Sequence, residues 1–475
     1  MSLARIGIRG AYFTSLALGA RQVISLATTF YVARQLLPAD LGVFSMIMIV
    51  IGLAQVVGDI GIAIGLVRSQ NNSSTVLSTC FWVASGIGLV LSLMVFFLAP
   101  VAAWFYEKPE IALYIRIAAL GLFINFLQPV PMALLQQRLA YKSISIAQAS
   151  GSLMGAVATI GLVHYGFGIW ALVMQPIVGN AVNLILMGMY AKWRPTFEFN
   201  LKSISDILTS GFHMLGGGLI GYARNNFDAL VIGKSMPARD LGLYSMAQTI
   251  LYAPQHLITS TVSRVLFPLL SKVQDDMDKL REAVLKATAR TALLTFPIYM
   301  GLFVLAEEFV GVVFGPNWLE MTPLIKLMML SYMVQSITFI AGPVSFVMKK
   351  TKIMLQISFW SAVFYVAVLL VAMPYGLNAV ATGFVVCNVL SSLLGLVINL
   401  QFAKIPRLMY LKAIIKPCGY ALLMAILVLV LRETFQFNVG VNLISLTLVG
   451  ALSYAALILM FEKTVWLEIK NAIFN

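Results

Sequence analysis

The stretch ADLGVFSM, residues 39–46, returns as RDLGLYSM at 239–246, an offset of 200 residues. Each copy begins an apolar run long enough to cross a bilayer, which takes roughly 20 residues. Further anchors follow in the same order. YGFGIWALV at 165–173 faces YGLNAVATG at 375–383, Lys142 faces Lys352, and the pair Ala191-Lys192 faces Ala403-Lys404. Anchors recurring in one order point to an internal duplication. They divide the chain into an N-terminal half, 1–200, a C-terminal half, 201–405, and an appended segment, 406–475.

Composition fixes the class. Of the 475 residues 60% are hydrophobic and 11% charged, where a soluble domain carries about 25% charged residues. Fourteen apolar stretches reach spanning length. The expectation is an all-α membrane protein of about 14 transmembrane helices. Two six-helix bundles form parallel repeats, and a C-terminal helix pair is added to them. Six spans per half return the chain to the same side, so the repeat axis runs along the membrane normal and a site falls at midplane between the halves. Residues 11–35, which follow the basic N-terminal MSLARIGIRG, read as a retained first helix, and 271–290 as an amphipathic helix connecting spans 8 and 9.

The net charge of +14 has an orientational meaning. With the N-terminus in the cytoplasm, 23 of the 32 Lys and Arg fall in cytoplasmic segments, 7 in the opposite loops, and Arg21 and Arg224 mid-span. This asymmetry sets both termini in the cytoplasm and removes nucleic acid as the reason for the basic balance. Trp104, Trp193, Trp318 and Trp466 stand near span ends, as an interfacial belt requires. Cys80, Cys387 and Cys418 lie inside spans and read as packing residues.

Two polar helix faces carry the functional expectation. In HMLGGGLIGYARNNFDALVIG, 213–233, His213, Gly217, Gly221, Arg224 and Asp228 fall within roughly 80° of arc at about 100° per residue. In span 1, Thr14, Arg21, Gln22, Ser25, Thr28 and Thr29 gather within roughly 120°. A lipid-facing arginine would cost a few kcal/mol or more, so both arginines should face protein or a wet cavity. Two readings stand: an ion pair of Arg224 with Asp228 one turn away, or a cavity in which Arg21 and Arg224 bind a phosphate or diphosphate through the guanidinium fork. Asp59 is the other intramembrane acid, a candidate for H+ or Na+ coupling or for balancing Arg21; Asp228 shares those roles. Arg68 and Arg264, near the cytoplasmic ends of spans 2 and 8, are candidates for a cytoplasmic gate. The pairs Gly61/Gly65 and Gly217/Gly221 have a helix-packing spacing. Pro129, Pro131, Pro176, Pro254, Pro297 and Pro343 mark bends. No spacing indicates a metal, a cofactor or a catalytic nucleophile, and the GKS at 233–235 lacks the earlier glycine of a phosphate loop. The chain reads as a transporter, not an enzyme.

The stretch ARQLLPADLGVFSMIMIVIGLAQVVGDIGIAIGLVRSQ, 33–70, resembles the corresponding region of Wzx-type polysaccharide transporters, in the multidrug/oligosaccharidyl-lipid/polysaccharide exporter superfamily. Arg34, Pro38, Asp40 and Gly42 form a basic residue before a Pro-acidic-x-Gly turn. Asp59 and Gly61 form an Asp-x-Gly, and Arg68 is the basic residue at the end of the span. The resemblance implies an inner-membrane flippase. Such a protein moves undecaprenyl-diphosphate-linked oligosaccharide to the periplasmic leaflet for exopolysaccharide, capsule or O-antigen assembly, alongside a polymerase and export machinery. It also implies alternating access around a cationic cavity, where Arg21 and Arg224 match by location. An ion-coupled drug or cation exporter of the same superfamily and a lipid II flippase are the alternatives.

Overall fold

The computed structural model describes residues 3–69, 73–434 and 438–462, without the side chains of 3–17, 210–214 and 341. Readings placed on Thr14, on the His213 side chain and on Trp466 lie outside the described residues. Every described element is helical. The order begins with α1 (Leu3–Gln35), α2 (Pro38–Gly58), α3 (Ile62–Ser69), α4 (Ser74–Phe105), α5 (Ile111–Phe126) and α6 (Pro129–Gln137). It continues through α7 (Tyr141–His164), α8 (Ile169–Ala191), α9 (Ser205–Ser235), α10 (Ala238–Lys272), α11 (Met277–Val304) and α12 (Ala306–Val313). The last six are α13 (Thr322–Thr338), α14 (Ala341–Val347), α15 (Thr351–Ala372), α16 (Leu377–Phe402), α17 (Arg407–Thr434) and α18 (Val439–Phe461).

Eleven spans are both long and apolar enough to cross a membrane among the described residues. The expected fourteen also include α1, α9 and α10, which have the length, at 33, 31 and 35 residues. These three stand outside the eleven. Two of them, α1 and α9, carry the polar stripes, and their place in a bilayer depends on where those stripes face. The chain is a multi-pass membrane protein.

Backbone punctuation recurs down the chain. Left-handed residues close α4 at Glu107 (φ 55°), α6 at Leu139 (53°), α7 at Gly166 (80°) and α8 at Lys192 (48°). Their counterparts follow α12 at Gly315 (96°), α14 at Lys349 (55°), α15 at Gly376 (87°) and α16 at Lys404 (51°). A left-handed non-glycine residue costs roughly 1–2 kcal/mol, so matching occurrences at offsets of 208 to 212 residues mark the same helix ends used twice.

Breaks within spans have local causes. Asp59 Oδ1 accepts from the Gly61 amide at 3.2 Å, and Gly61 adopts φ 64°, which ends α2 and starts α3. A further break precedes Pro129, which enters at the first position of α6 where no amide donor is needed. Pro176, Pro254 and Pro297 instead lie inside unbroken helices. The expected connector at 271–290 is not a separate helix. The chain turns at 273–276, Asp276 caps α11 by accepting from the Lys279 amide at 3.1 Å, and the rest extends α11 itself. Leu280 and Val284 on that extension are buried in an apolar cluster, which is why its amphipathic pattern resembled a surface helix. Lys279 also holds the Asp276 carboxyl below its ordinary range by hydrogen bonding.

Two compact units, Met1–Ser245 and Met246–Asn475, divide the chain within α10. In the first, α7 packs on α8 and on α1, α4 on α5, and α2 and α3 on α9. Leu66, Cys80, Val130, Ala133, Met187 and Ala191 belong to one apolar cluster there. Residues 196–200 are strapped to α4: Trp82 Nε1 donates to the Thr196 carbonyl at 2.8 Å, and Ser78 and Thr79 hydroxyls accept from the Thr196 and Asn200 amides. In the second unit, α11 packs on α17, α13 on α16, and α17 on α18. Tyr454 Oη donates to the Leu293 carbonyl at 2.8 Å, tying α18 to α11. Arg432 ties the end of α17 to Glu307 and Glu308 of α12. Trp318, expected in an interfacial belt, is fully buried against Phe314 at 5.9 Å. Near a span end, an aromatic that closes a helix–helix junction has the same sequence signature as one that meets lipid. Trp104, by contrast, is 78% exposed.

Candidate functional site

Arg21 is half-buried on α1. Its Nε donates to Ser152 Oγ at 3.2 Å and its Nη1 to Gln148 Oε1 at 3.0 Å, both on α7. Gln148 and Ser152 are one helical turn apart, so α7 presents two neutral acceptors at the spacing of the guanidinium fork. They fix the orientation of the group without cancelling its charge. Among the described residues Arg21 has no carboxylate partner. Asp59 makes no direct ion pair with it; its Oδ1 accepts from the Gly61 amide at the break between α2 and α3.

Arg224 is half-buried on α9 and makes no hydrogen bond or ion pair among the described residues. The anticipated pair with Asp228 is absent. Asp228, 1% exposed, accepts from the Tyr244 hydroxyl at 2.7 Å through Oδ2 and from the Ala229 amide at 2.9 Å through Oδ1. Four-residue spacing made the ion pair look natural in sequence, but Tyr244, fully buried on the first turns of α10, reaches the carboxylate instead. Asp228→Ala would remove the carboxylate that accepts from the Tyr244 hydroxyl in a dry position, and losing a buried hydrogen-bond partner costs about 1–3 kcal/mol. A lowered unfolding temperature in detergent, partly restored in the double variant with Tyr244→Phe, is the expected result.

The face of α9 that bears Arg224 borders open space. A Cβ placed on Gly217 or Gly221 would meet no atom within 4 Å, and the same holds for Gly19, two residues before Arg21. The packing role suggested by the Gly217/Gly221 spacing is therefore not realised. Gly65 does pack closely, since a Cβ there would lie 2.5 Å from Ile207. Tyr222 anchors α9 to α2 by donating from Oη to the Ile49 carbonyl at 2.7 Å.

The two repeat motifs meet. A Cβ on Gly42 would lie 1.7 Å from the Ala238 carbonyl oxygen, and one on Gly242 would lie 1.8 Å from the Pro38 carbonyl oxygen. Residue by residue at the offset of 200, the first turns of α2 and α10 make reciprocal contacts, backbone against backbone. Only glycine permits that approach. Beside this junction Lys234 Nζ pairs with Glu107 at 2.8 Å and keeps its carboxyl below the usual range. The other predicted residues are placed apart. Arg68 is exposed at the end of α3, and Arg264 is exposed on α10 within the second unit. Gln148 and Ser152 were missed in sequence because their partner lies 127 and 131 residues away. Among the described residues no group of three or more His, Cys, Asp or Glu could hold a metal ion.

Comparison with known proteins agrees with this architecture. The family model described as polysaccharide biosynthesis protein matches residues 31–323. The chain is 27% identical over 403 residues to the lipopolysaccharide biosynthesis protein WzxC of Escherichia coli, covering 83% of this chain and 81% of that protein. It is 27% identical over 455 residues to the succinoglycan biosynthesis transport protein ExoT of Rhizobium meliloti, covering 93% and 90%. Among solved structures it is similar to the lipid II flippase MurJ in an inward closed conformation. The TM-score is 0.76 over 95% of this chain and 99% of that one, at 16% identity. That likeness establishes the transporter fold. With more than half of its length matched by the family model, the chain belongs to the polysaccharide biosynthesis protein family, as a polysaccharide transporter of the Wzx type.

Proposed function

We propose that the protein is a flippase for undecaprenyl-diphosphate-linked oligosaccharide, moving it from the cytoplasmic to the periplasmic leaflet of the inner membrane. The product would serve exopolysaccharide, capsule or O-antigen assembly, with a polymerase and export machinery downstream. The observation that carries this reading is Arg21, oriented by Gln148 and Ser152 yet left with its full charge. A half-buried cation fixed by neutral partners is suited to a mobile anion, and the fork geometry suits phosphate oxygens. An exporter of organic cations gains nothing from it. Its relatives, a lipopolysaccharide biosynthesis protein and a succinoglycan biosynthesis transport protein, support the same substrate class.

On this reading the halves 1–200 and 201–405 alternate access to a cationic cavity containing Arg21 and Arg224, with 406–475 appended and both termini cytoplasmic. Arg68 and Arg264 act at the cytoplasmic entrance. Coupling to H+ or Na+, where it operates, is assigned to Asp59, exposed at the break between α2 and α3, and not to Asp228, whose oxygens are both engaged. Flux through Asp59→Asn should lose its response to an imposed proton or sodium gradient; a retained response removes the coupling role.

Binding of undecaprenyl diphosphate to the purified protein tests the site. Arg21→Gln removes charge-assisted hydrogen bonds of about 1.5–3 kcal/mol, so affinity should fall roughly tenfold to hundredfold. Gln148→Leu, which frees the guanidinium to rotate, should weaken binding less. Unchanged affinity in both variants and in Arg224→Gln would contradict the cationic cavity.

A further inference from the structure

The second unit carries a groove that the flippase reading does not use. It lies between α15 and α16, has a volume of about 500 Å³, and is lined by Ile353, Gln356, Trp360, Phe364, Leu390 and Leu394, among others. Its wall is open to the outside of the helix pair, with Trp360 67% exposed and Leu390 51%. At one end only, the connections of α14 to α15 and α16 to α17 bring exposed Lys349, Lys350, Lys352 and Lys404 together in sequence position next to the helix ends. The Lys350 ammonium lies 6.0 Å from the Phe402 ring centre, which places the two connections side by side. Among the described residues none of these lysines pairs with a carboxylate.

We infer that this groove is a binding site for an anionic glycerophospholipid of the adjacent leaflet, with its phosphate on Lys350 and Lys352 and one acyl chain along α15. Two features select this occupant. The charge is positive at the head of the groove and absent along it, and basic residues at a membrane surface attract anionic headgroups. The lining from Ile353 to Phe364 spans twelve residues, and the eleven steps between them make about 17 Å at 1.5 Å per residue, close to half of the roughly 30 Å hydrocarbon core. That matches a chain belonging to one leaflet. A polyprenyl carrier is several times longer and would leave most of its length outside. Gln356, one turn beyond Lys352, brings an amide to the depth where the glycerol esters lie, and a polar side chain at that depth gains by meeting a polar partner.

The test uses the full chain reconstituted in phosphatidylcholine nanodiscs. Brominated phosphatidylglycerol or brominated phosphatidylcholine is added as quencher, and the Trp360 signal is taken as the difference between wild type and Trp360→Phe. Phosphatidylglycerol should quench Trp360 at a mole fraction about thirtyfold lower than phosphatidylcholine, given a contribution near 1 kcal/mol from each of Lys350 and Lys352. The triple variant Lys349→Gln, Lys350→Gln, Lys352→Gln should abolish the preference while leaving quenching by phosphatidylcholine intact, which also shows that the groove is folded. Equal quenching by the two lipids, or a preference that survives the triple variant, overturns the site. Displacement of brominated phosphatidylglycerol by undecaprenyl diphosphate at equal mole fraction overturns the choice of occupant in favour of the carrier lipid.

Discussion

Gly242→Val should abolish transport while leaving the protein in the membrane near its normal level. At Gly242 an added Cβ would stand 1.8 Å from the Pro38 carbonyl oxygen and 2.7 Å from its carbon, and the reciprocal approach at Gly42 is as tight. Those obstacles are backbone atoms, so no rotamer change relieves the overlap. The first turns of α2 and α10 would have to separate by more than 1 Å. Overpacking of a side-chain core costs typically 1–3 kcal/mol, and a clash against backbone belongs at the upper end or beyond. Met46, fully buried one turn further along α2, reports the separation. With the three native cysteines replaced, Met46→Cys should resist a water-soluble maleimide in an otherwise wild-type chain and react readily beside Gly242→Val. Gly217→Ala is the control. Its Cβ meets no atom within 4 Å, and alanine is the better helix former by about 1 kcal/mol, so stability should hold or rise. Normal transport by Gly242→Val would mean that this junction opens without consequence.

Arg21→Gln should give the second large effect, on transport more than on folding. A glutamine amide can still donate to Gln148 Oε1 or Ser152 Oγ, so the half-buried acceptors on α7 keep a partner. What disappears is the charge. Arg21→Lys restores charge but not the fork. An ammonium that satisfies Gln148 and Ser152 has no planar edge left for a diphosphate, and partial activity is the expected outcome.

The legible and illegible parts of this molecule divide along physical lines. The repeat 39–46/239–246 was readable because duplication leaves matching residues at a fixed offset, and its glycines proved to be the contact itself. The half-burial of Arg21 and Arg224 followed from the cost of an arginine that faces lipid. Pairing did not, since helix geometry offers Asp228 to Arg224 at four residues but cannot reveal a tyrosine arriving from the next helix. Gln148 and Ser152 carried no signal of their own on α7, because two neutral polar residues one turn apart are common in membrane helices. The break at Asp59–Gly61 was written in the sequence as an Asx turn, yet its apolar flanks read as one continuous span. Trp318 shows the same ambiguity, with its burial decided by packing outside its own segment.

The most direct test of the flippase assignment is made in cells lacking the gene, by following radiolabelled sugar into polyprenyl-diphosphate intermediates. Complementation uses wild type and Arg21→Gln, at matched membrane levels. Intermediates should accumulate on the cytoplasmic face, clear with wild type and remain trapped with Arg21→Gln. Rescue by both would keep the flippase and make Arg21 structural. A deletion strain that traps no lipid-linked intermediate, while the glycan is still exported, would contradict the assignment itself.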